Sequence, residues 1–151
     1  MLRTTFFSFF AICAVPASAQ SLQHINAQRL VDVTLLKHPE LTVMALHVTP
    51  PMGANNIIIA SNIGRIGKPA DADDMSVLKT GKPRIEATKT GDLSVELLMY
   101  DVAGNIVGVL GSTFSAKIAT DKTLALQMGE TVRDELRGQT LSLESLFEST
   151  L

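Results

Sequence analysis

The chain has 151 residues with a formal net charge of −2, and 46% of its residues are hydrophobic. These proportions fit one globular domain with a substantial core and exclude a disordered or collagen-like chain. Lys and Arg are scattered along the sequence, so we do not expect nucleic-acid binding, which depends on concentrated positive charge. Because Cys13 is the single cysteine, a disulfide framework and a cysteine-based metal site are excluded.

The first 19 residues have the pattern of a secretory signal peptide. A short basic start at residues 1–3 precedes an apolar run at residues 6–15, and the small residues Ala-Ser-Ala follow at 17–19. The apolar run is about half as long as the roughly 20 residues that a membrane-spanning helix needs. We therefore predict cleavage after residue 19, a single domain over residues 20–151, no membrane span after cleavage, and a periplasmic or secreted protein.

The remaining chain alternates between patterns that are typical of helices and of strands. A first helix is predicted over 22–37, where Gly and Pro are absent, and a second over 71–80, between the capping residues Asp71 and Gly81. A closing helix is predicted over 121–137, and its apolar stripe consists of Leu124, Met128, Val132 and Leu136. The predicted strands are 41–49, 56–61, 84–88, 92–100 and 106–115. The apolar tail after Gly138 is expected to dock on this chain or on another.

The two faces of each predicted strand indicate its place in the sheet. Strands one (41–49) and five (106–115) are apolar on both faces, which is typical of strands at the centre of a sheet. Strand three (84–88) is polar on one face, which is typical of a strand near an edge. The sequence therefore predicts an α+β fold in which a five-stranded antiparallel sheet, in the order 2-1-5-4-3, packs with N-terminal and C-terminal helices.

Three segments carry a resemblance to a known family. They are residues 59–68 (IASNIGRIGK), residues 80–83 (TGKP) and the hairpin at residues 100–108 (YDVAGNIVG). In these segments and in the order of its elements, the chain resembles the extracytoplasmic Cache domains, which have a PAS-like sensor fold. The resemblance implies a small-molecule site between the sheet and the segment that joins strands two and three. The chain departs from the usual layout of these sensors, which have a transmembrane helix and a signalling domain, so we expect a stand-alone sensory module that acts through a partner protein, such as a membrane sensor, or through a homodimer.

The segment between strands two and three contains the first candidate site residues. Arg65 is the leading candidate for binding a carboxylate, because a guanidinium holds a carboxylate at two points. Lys68 adds a second positive charge, and Asn62 at the strand end is a candidate for orienting the ligand. The alternative interpretation is that these cations are solvated and pair with neighbouring acids, namely Asp71, Asp73 and Asp74.

Strands one and four supply the other candidates. Glu96 and Tyr100 lie four residues apart and share a strand face with Ser94, so they are predicted to line the same cavity. The alternative is a solvent-facing stripe on a half-exposed strand. His47 on a central strand is either a ligand contact or a structural histidine with its own hydrogen bond.

We expect no catalytic residue, no metal and no cofactor. The three histidines, His24, His38 and His47, lack the spacing of metal ligands, and residues 64–68 lack the spacing of a phosphate-binding loop. The sequence therefore predicts an exported sensory module that binds a small organic ligand, with a carboxylate favoured. The alternatives are a structural or interaction protein without a ligand, or a small hydrolase or isomerase.

Overall fold

The computed structural model describes residues 25–150. The signal peptide predicted over 1–19 lies outside these residues. The helices are α1 (Asn26–Lys37), α2 (Ala72–Thr80) and α3 (Lys122–Gln139), and a short 3-10 helix follows at Glu144–Phe147. The strands are β1 (Leu41–Val48), β2 (Ile57–Ser61), β3 (Arg84–Ala87), β4 (Leu93–Tyr100) and β5 (Ile106–Phe114).

The five strands form one antiparallel sheet in the order β2-β1-β5-β4-β3. The predicted α+β class and the predicted strand order are confirmed. The central strands β1 and β5 are almost continuously buried, whereas the edge strand β3 is partly exposed. The burial of both faces of β1 and β5 explains why their sequences are apolar in successive positions instead of alternating.

One face of the sheet packs against α1 and α3. Alternate strand residues such as Met44 and Leu97 point to this side, where they join Leu30 of α1 and Leu136 of α3 in one apolar core. The helix α3 lies close to the sheet at Gly129, since a Cβ atom there would stand only 3.0 Å from a methyl carbon of Val95. This layer contains most of the buried apolar surface and leaves the other face for the site.

The opposite face of the sheet is only partly covered. Val77 of α2 packs there against Leu98 of β4 and Val109 of β5, which form a small separate apolar cluster. The segment 62–70 folds back along β2, where the amide of Ile58 donates to the carbonyl of Lys68 at 2.9 Å. Between this connecting segment, α2 and the sheet, the uncovered part of the face forms a cleft.

The N-terminal end of α2 is fixed by a reciprocal pair of caps. The carboxylate of Asp71 accepts hydrogen bonds from the amides of Asp73 and Asp74, and the carboxylate of Asp74 accepts one from the amide of Asp71. At the other end Gly81 has a φ of 70°, a left-handed conformation that glycine adopts without strain. The predicted caps of this helix are therefore confirmed, and they hold two carboxylates at the edge of the cleft.

The C-terminal segment docks on the start of α1. Ile25 is extended and pairs with Ser149, and the amide of Asn26 donates to the carbonyl of Glu148 at 2.8 Å. The helix therefore begins at Asn26 and not at residue 22 as predicted, although residues 22–24 themselves lie outside the described part. Leu146 is fully buried, so the apolar tail packs on its own chain.

Candidate functional site

The cleft lies on the sheet face opposite α1 and α3 and has two connected parts. The inner part has a volume of about 150 Å³ and the outer part about 230 Å³. Both parts are lined by His47, Ile58, Arg65, Asp71 and Asp74, so they form one continuous cleft. A cleft of this size suits a molecule smaller than a drug-sized ligand.

The floor of the inner part is the polar stretch of the sheet. Ser94 and Glu96 of β4 and Thr113 of β5 line it, together with Gly111. A Cβ atom at Gly111 would stand 3.5 Å from Nε2 of His47, an ordinary van der Waals contact, so the imidazole lies directly beside this position of β5. The strand alternation thus brings hydroxyl, carboxyl and imidazole groups to one surface.

His47 and Asp74 connect β1 to α2 across the cleft. The Nδ1 atom of His47 lies 2.9 Å from Oδ2 of Asp74, and both side chains are buried. The two atoms are close, although Nδ1 of His47 has no partner among residues 25–150 that meets the geometry of a hydrogen bond. Burial raises the pKa of Asp74, but the His47 contact and the bonds with Asp71 lower it more, so the pKa is below its usual range. Asp74 is therefore an ionised acid in the cleft wall.

Glu96 is a carboxyl group in an unfavourable environment for its charge. Among the residues that the structure describes, no hydrogen-bond partner is found for its buried Oε2 atom. Burial raises the pKa of Glu96 to about 7, and the negative charges of Asp74, Asp71 and Asp73 act in the same direction. The positive charge of Arg84, which faces Glu96 across the β3–β4 pair, lowers the pKa and only partly compensates.

The cations around the cleft differ in how they are paired. Arg84 contacts the carboxylates of Asp73, at 2.9 Å, and Glu86. Arg65 and Lys68, by contrast, are exposed, line the cleft and form no ion pair with any residue in 25–150. The alternative that the cations of this segment are solvated and pair with neighbouring aspartates therefore holds in part: Arg65 and Lys68 are exposed to solvent, but the cation that pairs with one of these aspartates is Arg84.

The structure brings together four of the six predicted site residues, namely His47, Arg65, Lys68 and Glu96. Asn62 lines neither part of the cleft, because its side chain accepts from the amide of Met44 at 2.9 Å and donates to the carbonyl of Thr42 at 3.1 Å. Its amide extends the β1–β2 pairing by one residue. Tyr100 also lines neither part, and packs beyond Leu98 against the small apolar cluster under α2.

Asp71 and Asp74 are cleft residues that the sequence did not predict as such. Both have the spacing of a helix cap, and they do cap α2. One signal in the sequence could have predicted their place in the cleft. Both acids follow directly after the cationic segment, and a residue that caps a helix start lies next to the segment that leads into the helix. What the sequence could not show is that this helix start faces His47.

Metal-binding clusters and membrane-spanning helices are both absent from the described residues. Within 25–150, no group of three or more His, Cys, Asp or Glu side chains is arranged to hold a metal ion. In the same range, no helix combines the length and the apolar character needed to span a membrane.

Comparisons with known proteins give weak similarities only. No family model and no curated protein matches the sequence. Among solved structures, the repressor BlcR of Agobacterium tumefaciens is 13% identical, with a TM-score of 0.49, over 83% of this chain and 71% of that chain. The E. coli DcuS sensor domain is 18% identical, with a TM-score of 0.43, over 76% of this chain and 84% of that chain.

A third solved structure is a double mutant of the inducer-binding domain of the transcription factor PobR from Acinetobacter, in complex with 3-hydroxybenzoic acid. It is 10% identical, with a TM-score of 0.43, over 74% of this chain and 95% of that chain. At such low identities and TM-scores, these similarities do not assign a function to this chain.

Proposed function

We propose that this protein is an exported sensory module that binds a small organic anion in the cleft between the sheet, α2 and the connecting segment 62–70. The signal passes to a partner protein or through a dimer. Export rests on the signal peptide predicted over residues 1–19. Binding rests on the chemistry of the cleft, and we assign it no catalytic step.

The observation that carries the proposal is the position of Arg65. Its exposed guanidinium lines both parts of the cleft and is unpaired within residues 25–150, whereas Arg84 nearby is held by Asp73. The carboxylate of a ligand would supply the negatively charged partner that Arg65 lacks, and a guanidinium binds a carboxylate with two parallel hydrogen bonds. Lys68 at the outer part adds a second cation.

The glycines beside Arg65 support this role. Gly64 and Gly67 have φ values of 66° and 85°, and a Cβ atom at either position would meet nothing within 4 Å. The turn that they form closes with a hydrogen bond from the amide of Lys68 to the carbonyl of Arg65. Arg65 therefore sits on a defined tight turn and not on a long flexible loop.

A thermal-shift screen of small organic acids tests the proposal, because a ligand that binds only the folded state raises the melting temperature. We expect at least one carboxylate to raise it. The Arg65→Ala variant should then bind that acid more weakly by about 1.5 kcal/mol, which is about tenfold in Kd. The matched control is Arg29→Ala, which removes the same charge from the exposed side of α1.

Two results would contradict the proposal. One is a broad screen in which no acid shifts the melting temperature of the parent protein. The other is an affinity that is equal in Arg65→Ala and in Arg29→Ala, since Arg29 lies on the helix layer away from the cleft.

A second candidate function is an interaction protein without a ligand. The observation that favours it is the exposed apolar surface of α1, where Leu36 is 85% and Val33 is 43% exposed. Sedimentation of the parent and of a Val33→Ser, Leu36→Ser variant tests it: an association that disappears in the variant supports this role, and a monomer in both contradicts self-association.

A further inference from the structure

The inner part of the cleft contains a carboxyl group that the proposed binding by Arg65 and Lys68 does not use. Glu96 points from β4 into the inner part, and its Oε2 atom is buried without a hydrogen-bond partner among residues 25–150. A buried polar atom without a partner is unusual in a folded protein and needs a physical explanation. A ligand atom that bonds to Oε2 provides one.

The titratable groups around Glu96 come from α2, β3, β1 and the connecting segment. The start of α2 presents the carboxylates Asp71, Asp73 and Asp74, which raise the pKa of Glu96, and β3 presents Arg84, which lowers it. On β1, His47 contacts Asp74, and the connecting segment contributes Arg65. The neighbouring residues of β5 in the cleft, Gly111 to Thr113, carry no charge.

Two of these acids already have close side-chain contacts of their own. Asp73 contacts Arg84 at 2.9 Å, and Asp74 contacts His47 at 2.9 Å. Arg84 thus has Asp73 as an ion-pair partner and offsets the negative charges around Glu96 only in part. Among the described residues, Arg65 is the cation that lines the inner part without an ion pair, and in the proposed complex it binds the anion.

We propose that Glu96 enters the complex as a neutral carboxylic acid and donates a hydrogen bond from its protonated Oε2 to an oxygen atom of the bound anion. At a pH well above 7 binding of the anion therefore takes up about one proton from solvent, whereas near pH 6 it takes up almost none because Glu96 is already protonated. This inference rests on the proposed anion-binding function. The ligand that it describes carries a carboxylate for Arg65 and an oxygen acceptor, on the same or a second group, for Glu96.

The charge balance favours this protonation state. An ionised Glu96 would place a further negative charge beside both the ligand and the three aspartates, and like charges at short distance disfavour ionisation. A neutral carboxylic acid removes that repulsion and supplies the donor that the anion needs. The pKa of about 7 means that little energy is needed to hold Glu96 protonated near neutrality.

Proton transfer in this step is balanced without any other reactant. A proton moves from buffer to Oε2 of Glu96, the hydrogen bond forms to the ligand, and no bond of the ligand breaks. The converse arrangement, an ionised Glu96 that binds a ligand cation, would release a proton from Glu96 to solvent. The direction of proton exchange therefore separates the two.

Isothermal titration calorimetry measures that direction. We would titrate the protein over residues 20–151 with acetate and with lactate at about pH 6 and about pH 8.5, each in two buffers of different ionisation enthalpy. Ethanolamine serves as the cationic probe. If only the protein with a protonated Glu96 binds the anion, a pKa of about 7 makes the apparent affinity for the anion about thirtyfold weaker at pH 8.5 than at pH 6.

The Glu96→Gln variant tests whether this residue is responsible. Its side-chain amide donates a hydrogen bond at every pH, so the variant should bind the anion at pH 8.5 as it does at pH 6, with no proton uptake. The matched control, Glu130→Gln on α3, should keep the pH dependence of the parent protein. Folding of each variant is checked by its melting temperature.

Four outcomes decide the matter. Anion binding with proton uptake that is lost in Glu96→Gln supports the inference. Anion affinity that does not change with pH, or a pH dependence that persists in Glu96→Gln, overturns it and leaves the anion-binding function intact. Ethanolamine binding with proton release also overturns it. If neither anion binds at either pH, the inference is overturned, whereas the proposed function is decided by the thermal-shift screen of organic acids.

Discussion

The imidazole of His47 and the carboxylate of Asp74 meet 2.9 Å apart, and this contact joins the central strand β1 to the first turn of α2. Asp74 also caps the helix by accepting from the amide of Asp71. A single buried carboxylate thus fixes both the helix start and the cleft wall, so its removal affects structure and site together.

Asp74→Ala should destabilise the protein by about 2 kcal/mol, because it removes a helix cap and leaves His47 buried without its acidic neighbour. The free energy of unfolding from urea titrations at neutral pH measures this. The comparison variant is Asp73→Ala on the same helix, which removes a half-exposed ion pair and should lose less than about 1 kcal/mol. Equal losses in the two variants would show that the burial of Asp74 has no special effect.

His38 links α1 to β1 and α3 and should make stability depend on pH. Its Nδ1 lies 3.0 Å from Glu40 and its Nε2 lies 2.8 Å from Glu135. Burial lowers the pKa of His38, but the two glutamates raise it more, so the pKa is above 6.5 in the folded protein. The stabilisation is therefore complete below pH 6.5 and is lost as the pH rises through the folded pKa.

The difference in unfolding free energy between the parent and His38→Gln should follow this pattern. We expect a large difference near pH 6 that shrinks toward pH 9, measured by urea titration across that range. Lys37→Ala is the control, since it removes only an exposed ion pair with Glu135 and should give a small difference that stays constant. A parent-to-variant difference that does not vary with pH would contradict the role assigned to His38.

Glu96 should affect stability in the absence of any ligand. Because its folded pKa of about 7 exceeds the ordinary 4.5, its contribution is fully present below pH 4.5 and is lost as the pH rises through about 7. The side chain of Glu96→Gln cannot ionise. The melting temperature of the variant minus that of the parent should therefore be larger at pH 8.5 than at pH 5. Melting curves of both proteins at the two values provide the test, and a constant offset between them would refute it.

Two glycines with ordinary φ angles should respond in opposite directions to alanine. A Cβ atom at Gly108 would overlap the carbonyl oxygen of His47 and stand 2.9 Å from a methyl carbon of Val48. Gly108→Ala should therefore destabilise by about 2 kcal/mol or more. Gly138 lies in α3 with nothing within 4 Å of such an atom, so Gly138→Ala should stabilise by up to about 1 kcal/mol. Urea titrations give the free energy of unfolding of both variants. A Gly108→Ala variant as stable as the parent would contradict the close approach of β1 and β5.

Local signals predicted most of the fold. The period-two patterns and the turn residues placed β1 to β5 within a residue or so, and the caps Asp71 and Gly81 bounded α2. The order of strands followed from which of them are apolar on both faces. The start of α1 was predicted too early, because the bridge from Ile25 to Ser149 is a contact between the two ends of the domain that no local pattern records.

The site was predicted only in part, because local patterns identify candidate side chains but not their tertiary neighbours. Arg65 and His47 were identified from charge and strand position, and both line the cleft. Asn62 was predicted from its place at a strand end, yet its amide pairs with the backbone of β1, a choice that depends on tertiary neighbours. Tyr100 shares the strand face of Glu96, but Leu98 stands between them and marks the end of the polar stretch.

The central claim is that an organic anion occupies the cleft beside Arg65. The most direct measurement is a titration of ¹⁵N-labelled protein with the acid that gives the largest thermal shift, followed through the backbone amide signals. The account predicts shifts at Arg65, Gly111 and Ser112 with the amides of α1 unchanged, and in Arg65→Ala about tenfold more acid to reach half of the shift at Gly111 and Ser112. Shifts confined to α1, or shifts in the cleft that persist unchanged in Arg65→Ala, would contradict it.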